Sequence, residues 1–255
     1  MQRGDVAVFS ISAALAAVVA AAVTFSLLVL DRESTNLVSR STTSSWLVVT
    51  WGPGFCAVEP SSPACASGEI ARLGPTLILH GLWPQPPENQ YCGVPLTLAE
   101  RVRRGAGGLP QVALSAEVRA QLPATMADSA TLATHEWYAH GTCSGVRPDE
   151  YFADAVALTD EVRALLDPVF RQASGGELTL SAVRARFDEQ LGAGAGDRVG
   201  LSCRKPISKG AMVVDVRLSL PAVAAMRAIA PRLDLAALLS HAPPMRTQCQ
   251  QGHVA

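Results

Sequence analysis

The chain has 255 residues, of which 49% are hydrophobic and 17% charged, and its formal net charge at pH 7 is −1. This length suits one sizeable domain or two small ones, each with a buried core. A charge so close to zero excludes a protein that coats nucleic acid through a diffuse basic surface, so any polyanion must meet a local site.

An uncharged apolar segment, Val6–Leu30, stands near the N-terminus. It is longer than the apolar core of a signal peptide, roughly 7–15 residues, and long enough for a transmembrane helix of roughly 20 residues. Its length favours an uncleaved anchor, although small residues such as those at 19–22 leave a cleaved signal peptide open. Residues 1–30 thus predict export with Arg3 on the inner side, and the Ser- and Thr-rich residues 31–45 predict a linker.

One folded domain is predicted over the remaining residues, 46–255. It opens with Trp46–Trp51, which is β-branched and aromatic and is followed by Gly52-Pro53-Gly54. This pattern predicts a buried strand that ends in a turn. A second short strand is predicted over Thr76–His80, so that it ends on a histidine just before a turn at Gly81–Pro84.

Helices and further strands are predicted after this point in the chain. Apolar spacing and helix start and stop signals indicate helices in five segments: Thr97–Arg104, Ser115–Met126, Leu132–His140, Glu150–Phe170 and Ser181–Leu191. Two more strands are predicted over Val199–Cys203 and Ala211–Leu220. No internal repeat is present, so a repeat architecture is not expected.

The cysteines indicate an oxidising compartment. There are six of them, at positions Cys56, Cys65, Cys92, Cys143, Cys203 and Cys249. An even number of cysteines in an exported chain predicts disulfides. The sequence has no Cys-x-x-Cys pair that would suggest a metal site. Six cysteines allow fifteen pairings, so the spacing does not decide the connectivity.

Two short segments concentrate the residues that are able to do chemistry. His135–Cys143 reads HEWYAHGTC and holds two of the five histidines in the chain, while Leu79–Gln85 reads LHGLWPQ and holds a third. On a helix, Glu136 and His140 share one face because they are four residues apart, whereas His135 points elsewhere. Together the two segments predict one active site.

A zinc site is the first interpretation to test. In the His-Glu-x-x-His pattern of zinc proteases the two histidines are four residues apart and grip one metal. Here His135 and His140 are five apart, and no further histidine lies nearby. We therefore expect no metal. A zinc hydrolase ranks third, after a metal-free enzyme and a non-catalytic binding domain.

A metal-free site uses the same residues better. Imidazoles titrate near neutrality, so His80 and His140 are able to flank a phosphodiester as an acid and base pair. His135 and Glu136 would then contact the phosphate and stabilise charge in the transition state.

Two aromatic residues lie beside these motifs, Trp83 and Tyr91. Ordinary core packing would explain both of them. Beside a phosphodiester site, however, aromatic rings commonly stack the bases of single-stranded RNA, and we expect that of this pair.

The motifs resemble those of a known family. His80–Pro84 and His135–Cys143 are similar to the two signature segments of the T2-type ribonucleases, which are exported acid endoribonucleases, and Trp51–Cys56 resembles the end of that family's first strand. The resemblance covers the chain from Trp46 onward. It implies an α+β fold with a central antiparallel sheet packed against helices, and it implies three disulfides: Cys56–Cys65, Cys92–Cys143 and Cys203–Cys249.

The resemblance also implies a reaction and assigns its residues. Single-stranded RNA would be cleaved by transesterification to 2′,3′-cyclic phosphate ends, without metal or cofactor. His140 would be the base and His80 the acid. Glu136 and His135 would bind the phosphate, and Trp83 would stack the base. The protein would be a monomer that works in the periplasm or outside the cell, attached to the membrane if its N-terminal segment is uncleaved.

Two positions depart from the family pattern. Ala139 stands where the family usually has a lysine, and this loss predicts reduced activity unless an arginine elsewhere supplies the charge. Gln85 is predicted to bind the substrate together with Trp83 and Tyr91, but it stands where some relatives have an acidic residue, so the base preference stays open. The alternative from another class is a non-catalytic, disulfide-bonded domain that binds RNA or a protein.

Overall fold

The computed structural model describes residues 41–205, 210–247 and 249–255, together with the single residues Val19 and Ala22. Apart from these two residues, the predicted membrane segment lies outside the described residues, as does most of the predicted linker. Among the residues that are described, no helix is both long and apolar enough to span a bilayer.

The described strands form one six-stranded sheet. They are β1 Ser44–Trp51, β2 Leu77–Gln85, β3 Glu177–Thr179, β4 Val199–Arg204, β5 Met212–Pro221 and β6 Gln251–His253. The order is β2–β1–β5–β6–β3, and β4 also pairs with β5. The pairs are antiparallel except β5–β6, which is parallel, so the antiparallel sheet that was expected contains one parallel pair.

The helices lie between and around these strands. They are α1 Gly52–Val58, α2 Pro63–Ala66, α3 Glu69–Leu73, α4 Leu96–Arg103, α5 Ala116–Thr125, α6 Ser129–Ala139, α7 Pro148–Ala173, α8 Leu180–Leu191, α9 Val223–Ile229 and α10 Leu235–Ser240, with 3₁₀ turns at Gly141–Cys143 and Gly196–Arg198. A sheet packed against helices is the α+β architecture that the resemblance implied.

Three predicted boundaries were wrong. Gly52-Pro53-Gly54 does not form a turn but begins α1, because a proline is accommodated in the first turn of a helix. β2 does not end at His80 but continues to Gln85, since β1 pairs with it along that whole length. β1 begins at Ser44, two residues inside the segment predicted as a linker.

The core lies between the sheet and α7. Side chains alternate along β1, and Leu47, Val49 and Trp51 face the buried cluster to which α7 contributes. The rings of Trp51 and Phe170 are 5.0 Å apart. Burying one such aromatic side chain contributes about 2–3 kcal/mol. Thr50 and the other alternate residues of β1 consequently face the opposite side of the sheet.

A β-bulge lets His80 and Trp83, three residues apart, both lie on that opposite side, while Leu79 and Leu82 face the core. Val48 pairs with Gly81 and Val49 pairs with Leu79, so His80 is the extra residue of β2. Bulges bend a strand and re-aim a side chain, and they are common beside active sites. The Tyr151 hydroxyl of α7 anchors the strand beyond the bulge, because it donates to the Leu82 carbonyl at 2.7 Å.

Three disulfides join the described segments. They are Cys56–Cys65, Cys92–Cys143 and Cys203–Cys249, the pairings that the resemblance implied. The second of these ties the segment after β2 to the 3₁₀ turn after α6. The two histidine segments are therefore connected covalently as well as by packing.

Candidate active site

Four of the predicted residues lie together between β2 and α6, namely His80, His135, Glu136 and His140, and we refer to them as the catalytic group. Trp83 links three of them. Its indole N–H donates to Glu136 Oε2 at 2.8 Å, its ring is stacked on that of His140 with centroids 5.1 Å apart, and it meets His80 edge-on at 5.3 Å.

His80 is held through two buried residues. Thr50 donates its hydroxyl proton to Asp215 Oδ1 at 2.7 Å, and the same hydroxyl oxygen lies 3.4 Å from His80 Nδ1. Since the hydroxyl has only one proton, it is able to accept a hydrogen bond from His80 but not to donate one to it. Nδ1 therefore carries the hydrogen, and Nε2 is left to exchange a proton.

Glu136 is almost completely buried, with 1% of its surface exposed. Its Oε1 lies 3.7 Å from His80 Nε2. Burial raises the pKa of this carboxyl to about 8, although the hydrogen bond from Trp83 opposes that rise. Gly81 makes room for the carboxyl, because a Cβ there would overlap both Glu136 and the Trp83 indole.

His140 lies at the C-terminal end of α6, where its backbone N–H donates to the Glu136 carbonyl at 2.9 Å. Burial, together with the neighbouring His135 and His80, lowers the pKa of His140 to about 3. Burial also lowers the pKa of His80, while the carboxylate of Asp215 opposes that change. His140 is consequently neutral at ordinary pH and has a nitrogen ready to accept a proton.

His135 stands one residue before Glu136 and faces another direction along α6. Burial lowers its pKa, and a hydrogen bond with the backbone of Val102 in α4 opposes the change. Its charge influences both His80 and His140, whose pKa values it lowers. The structure thus brings all four members of the predicted catalytic group together.

The residues predicted to bind the substrate base lie in less open positions. Tyr91 is 4% exposed, and the guanidinium carbon of Arg103 lies 4.6 Å above its ring. Gln85 is 7% exposed, and its side-chain amide donates to the Trp83 carbonyl at 3.2 Å. Burial in the strand and under Arg103 leaves neither side chain an open face, and a base-binding role for Trp83, Tyr91 and Gln85 stays a prediction.

Ala139 does not face the catalytic group. It is 1% exposed and belongs to a small buried cluster whose other members are Tyr91, Val94, Ala99 and Val102. Its carbonyl accepts a hydrogen bond from the Tyr91 N–H at 3.0 Å. A lysine in this cluster would have to bury its charge beside apolar side chains, which is costly.

The sequence analysis missed three polar residues of this region, Thr50, Asp215 and Arg217. A signal for two of them was present, because Asp215 and Arg217 are the only charged residues of the otherwise apolar β5. A charge inside a buried strand is uncommon and calls for a partner or a function. Within the described part of the chain, no three His, Cys, Asp or Glu side chains are arranged to hold a metal ion.

Comparisons with known proteins point to one family. A sequence model of the ribonuclease T2 family matches residues 43–223. A ribonuclease of Aeromonas hydrophila is 29% identical over 106 residues, a match that spans 41% of this chain and only 39% of that relative.

Two solved structures share the fold at low sequence identity. One is a crystal structure of a mutant of RNase MC1 in complex with 5′-GMP, with a TM-score of 0.53 and 20% identity over 84% of this chain and 100% of that chain. The other is the self-incompatibility associated SF11-RNase of Nicotiana alata, with a TM-score of 0.51 and 14% identity over 82% of this chain and 93% of that chain.

Proposed function

Because the chain belongs to the ribonuclease T2 family, we propose that it is an endoribonuclease that cleaves single-stranded RNA by metal-independent transesterification. The observation that carries the proposal is the arrangement around Trp83, where His80, Glu136 and His140 meet at one indole. An acid, a base and a carboxyl group beside one another are what cleavage of a phosphodiester requires.

In the first step His140 acts as the base. Its low pKa keeps the imidazole neutral, so that it takes the proton of the ribose 2′-hydroxyl. The 2′-oxygen then forms a bond to its own phosphorus, and the bond from phosphorus to the 5′-oxygen of the next nucleotide breaks. The products are a 2′,3′-cyclic phosphate and a free 5′-hydroxyl.

His80 acts as the acid in the same step. With Nδ1 bonded to Thr50, the protonated imidazole gives its Nε2 proton to the leaving 5′-oxygen. Because burial lowers the pKa of His80, this imidazole needs a lower pH than an ordinary histidine to become protonated. We therefore expect faster cleavage at mildly acidic than at neutral pH.

Glu136 and His135 contact the phosphate. With a pKa of about 8, Glu136 keeps its proton at acidic and neutral pH, and a neutral carboxyl donates to a phosphorane oxygen where a carboxylate would repel it. The cyclic product is then hydrolysed by water, with the acid and base exchanging roles.

The test is to incubate residues 36–255, expressed in an oxidising compartment, with single-stranded RNA in excess EDTA at mildly acidic pH. Cyclic-phosphate ends that are absent with His80→Ala, but present with the exposed His241→Ala as control, are the expected result. No cleavage by a folded, fully oxidised protein would instead favour an RNA- or protein-binding domain. Cleavage that needs added zinc would favour a metal hydrolase.

We also propose that the protein is exported and works as a monomer. Three disulfides are stable in the periplasm or outside the cell but are rarely maintained in the cytosol. Cell fractionation and N-terminal sequencing of the mature protein test the location and the fate of residues 1–30. A cytosolic protein with reduced cysteines would contradict the proposal, whereas an exported protein of full length would identify the segment as an uncleaved anchor.

A further inference from the structure

A cleft of about 570 Å³ adjoins the catalytic group on the same side of the sheet. Its walls come from β1, β4, β5 and the segment before β6, and we call it the Arg217 cleft. It is lined by Trp46, Gly200, Leu201, Ser202, Cys203, Arg217, Met245, Arg246, Thr247 and Cys249. None of these residues has a part in the reaction described above.

Arg217 connects the cleft to the catalytic group. On three neighbouring strands, Trp83 of β2 pairs with Trp46 of β1, and Arg217 of β5 pairs with Val48. The guanidinium carbon lies 5.8 Å from the centroid of the Trp46 ring and 5.9 Å from that of Trp83. The cation therefore lies one indole away from His80 and His140.

The guanidinium of Arg217 is incompletely satisfied. Among the residues that the structure describes, its buried Nε has no hydrogen-bond partner, and Nη2 makes only a long contact of 3.5 Å with the Ser202 hydroxyl. No carboxylate of the described residues lies within 4 Å of it, whereas Arg204, also near His80, is paired with Glu59 at 3.4 Å. A buried N–H without a partner is costly, and a phosphate oxygen is the acceptor that the arginine fork fits best.

Other groups in the cleft fit the rest of a nucleotide. Trp46 supplies an aromatic ring, and single-stranded nucleic acids are commonly held by base stacking on such rings beside a cation that binds the backbone. Ser202 and Thr247 supply hydroxyls, and the exposed Arg246 supplies a second cation at the rim.

We propose that the Arg217 cleft is a subsite for a nucleotide one step beyond the two that flank the cleaved bond, with Arg217 binding its phosphate and Trp46 contacting its base. This inference rests on the proposed ribonuclease activity. The bound RNA strand runs from the catalytic group past Trp83 and over β1 to β4. A dinucleoside monophosphate, which has only the phosphate that is cleaved, does not reach the subsite, whereas a tetranucleotide does.

The experiment compares these two substrates in wild-type protein, Arg217→Gln, Arg217→Lys and Arg119→Gln. Arg119 is the control, because it is an exposed arginine on α5, which packs against α7 on the other side of the sheet. The measured quantity is kcat/KM for the tetranucleotide divided by kcat/KM for the dinucleoside monophosphate. Thermal unfolding shows whether each variant is folded.

We expect this ratio to fall about tenfold in Arg217→Gln, mainly through KM, and to stay at the wild-type value in Arg119→Gln. Arg217→Lys keeps the charge but not the fork, so it should recover part of the loss. The slope of log kcat/KM against log salt for the tetranucleotide should decrease by about 0.7 in Arg217→Gln, as one phosphate contact predicts for a single strand.

An unchanged ratio in folded Arg217→Gln would overturn the subsite, and an equal loss with both substrates would place Arg217 at the cleaved phosphate instead. If the wild-type protein cleaves neither substrate, the proposed function fails. The subsite is then tested by titrating a fluorescent tetranucleotide, and equal affinity for the wild type and Arg217→Gln would overturn it.

Discussion

The catalytic group and the Arg217 cleft lie beside one another on the same side of the sheet, yet their polar atoms are satisfied in opposite ways. In the catalytic group, His80 contacts Thr50, His135 is bonded to the backbone of Val102, and Glu136 accepts from Trp83. In the cleft, Arg217 has a buried N–H without a partner among the described residues. In the proposed function, the protein itself orients the groups that react, whereas it leaves open the group whose partner the substrate would supply.

This difference has an energetic meaning. In the catalytic group, burial shifts the pKa of Glu136 to about 8 and that of His140 to about 3. Both side chains are therefore neutral over the same acidic range. The removal of Glu136 and His140 from water is tolerated because neither side chain has to carry a charge before the substrate binds. Arginine stays charged at any ordinary pH, so the cleft keeps an attraction for anions that the neutral Glu136 and His140 lack.

The largest expected effect comes from removing the acid or the base. His80→Ala and His140→Ala should each lower kcat about 10²–10⁴-fold, which is the usual contribution of a general acid or base. The double variant should lose little more than the worse single one, because the two residues act as a unit. Kinetics on RNA with His241→Ala as control measure this. Full additivity would show that the two histidines act independently.

Gly81→Ala should come next, because it disturbs the placement of the catalytic group without removing a functional group. A Cβ at this position would overlap Glu136 and Trp83, so we expect kcat to fall about 10²-fold and the protein to be destabilised. Gly107→Ala is the control, since no atom lies within 4 Å of a Cβ there. Wild-type kcat in Gly81→Ala would mean that the position of Glu136 is unimportant.

Asp215→Asn tests whether the buried contacts of His80 are part of the reaction. The variant lacks the charge that opposes the lowering of the His80 pKa, so that pKa should drop further. We expect kcat at neutral pH to fall about tenfold, and the loss of activity with rising pH to begin at a lower pH. Thr50→Ser keeps the hydroxyl and should behave like the wild type. Thr50→Val lacks the hydroxyl and should behave like Asp215→Asn. An unchanged pH profile in Asp215→Asn would reduce Asp215 to a structural residue.

The smallest expected effect is on the stability of the protein, and it comes from the titration of Glu136. The pKa of Glu136 is about 8 in the folded protein against an ordinary value of 4.5, so its proton stabilises the fold fully below pH 4.5, and this contribution is lost as the pH rises through 8. Between pH 6.5 and 8 the free energy of unfolding of the wild type should fall by about 1–2 kcal/mol relative to Glu136→Gln.

Urea unfolding at several pH values measures this difference. The histidines cancel in this difference. Their lowered pKa values keep them neutral in both folded proteins above pH 6.5, and they titrate alike in the two unfolded chains. Parallel curves for the two proteins over this range would mean that the Glu136 carboxyl is ionised in the folded protein, and the neutral hydrogen-bond donor would then have to be abandoned.

Local patterns were enough to find five of the ten described helices and to single out the residues of the predicted catalytic group. The predicted Glu150–Phe170 lies within α7, and Ser181–Leu191 differs from α8 by one residue, because apolar spacing is a property of a single segment. Local patterns failed where a neighbouring strand decides the conformation. Pairing with β1 extends β2 past His80, and the extra residue that results was not expected from the turn-forming Gly81 and Pro84.

The environment of a single residue was harder still to predict. Ala139 was expected to leave a cation missing beside the phosphate, but its side chain lies in a separate apolar cluster. Sequence also did not reveal that the side chains of Tyr91 and Gln85 contact Arg103 and the Trp83 carbonyl, although their predicted role in binding the substrate stays a prediction. Residue type and position in a motif do not say which neighbour covers a side chain.

The sequence by itself determined which chemical groups are available and which of them share a short segment, since His135, Glu136 and His140 are held together by the chain. Only the tertiary structure decided that Thr50 and Asp215, 165 residues apart, hold His80 and that Arg217 lies over Trp46 and Trp83. The physical reason is that both arrangements depend on the register of β1 with β2 and β5, and register is set by packing across the whole sheet.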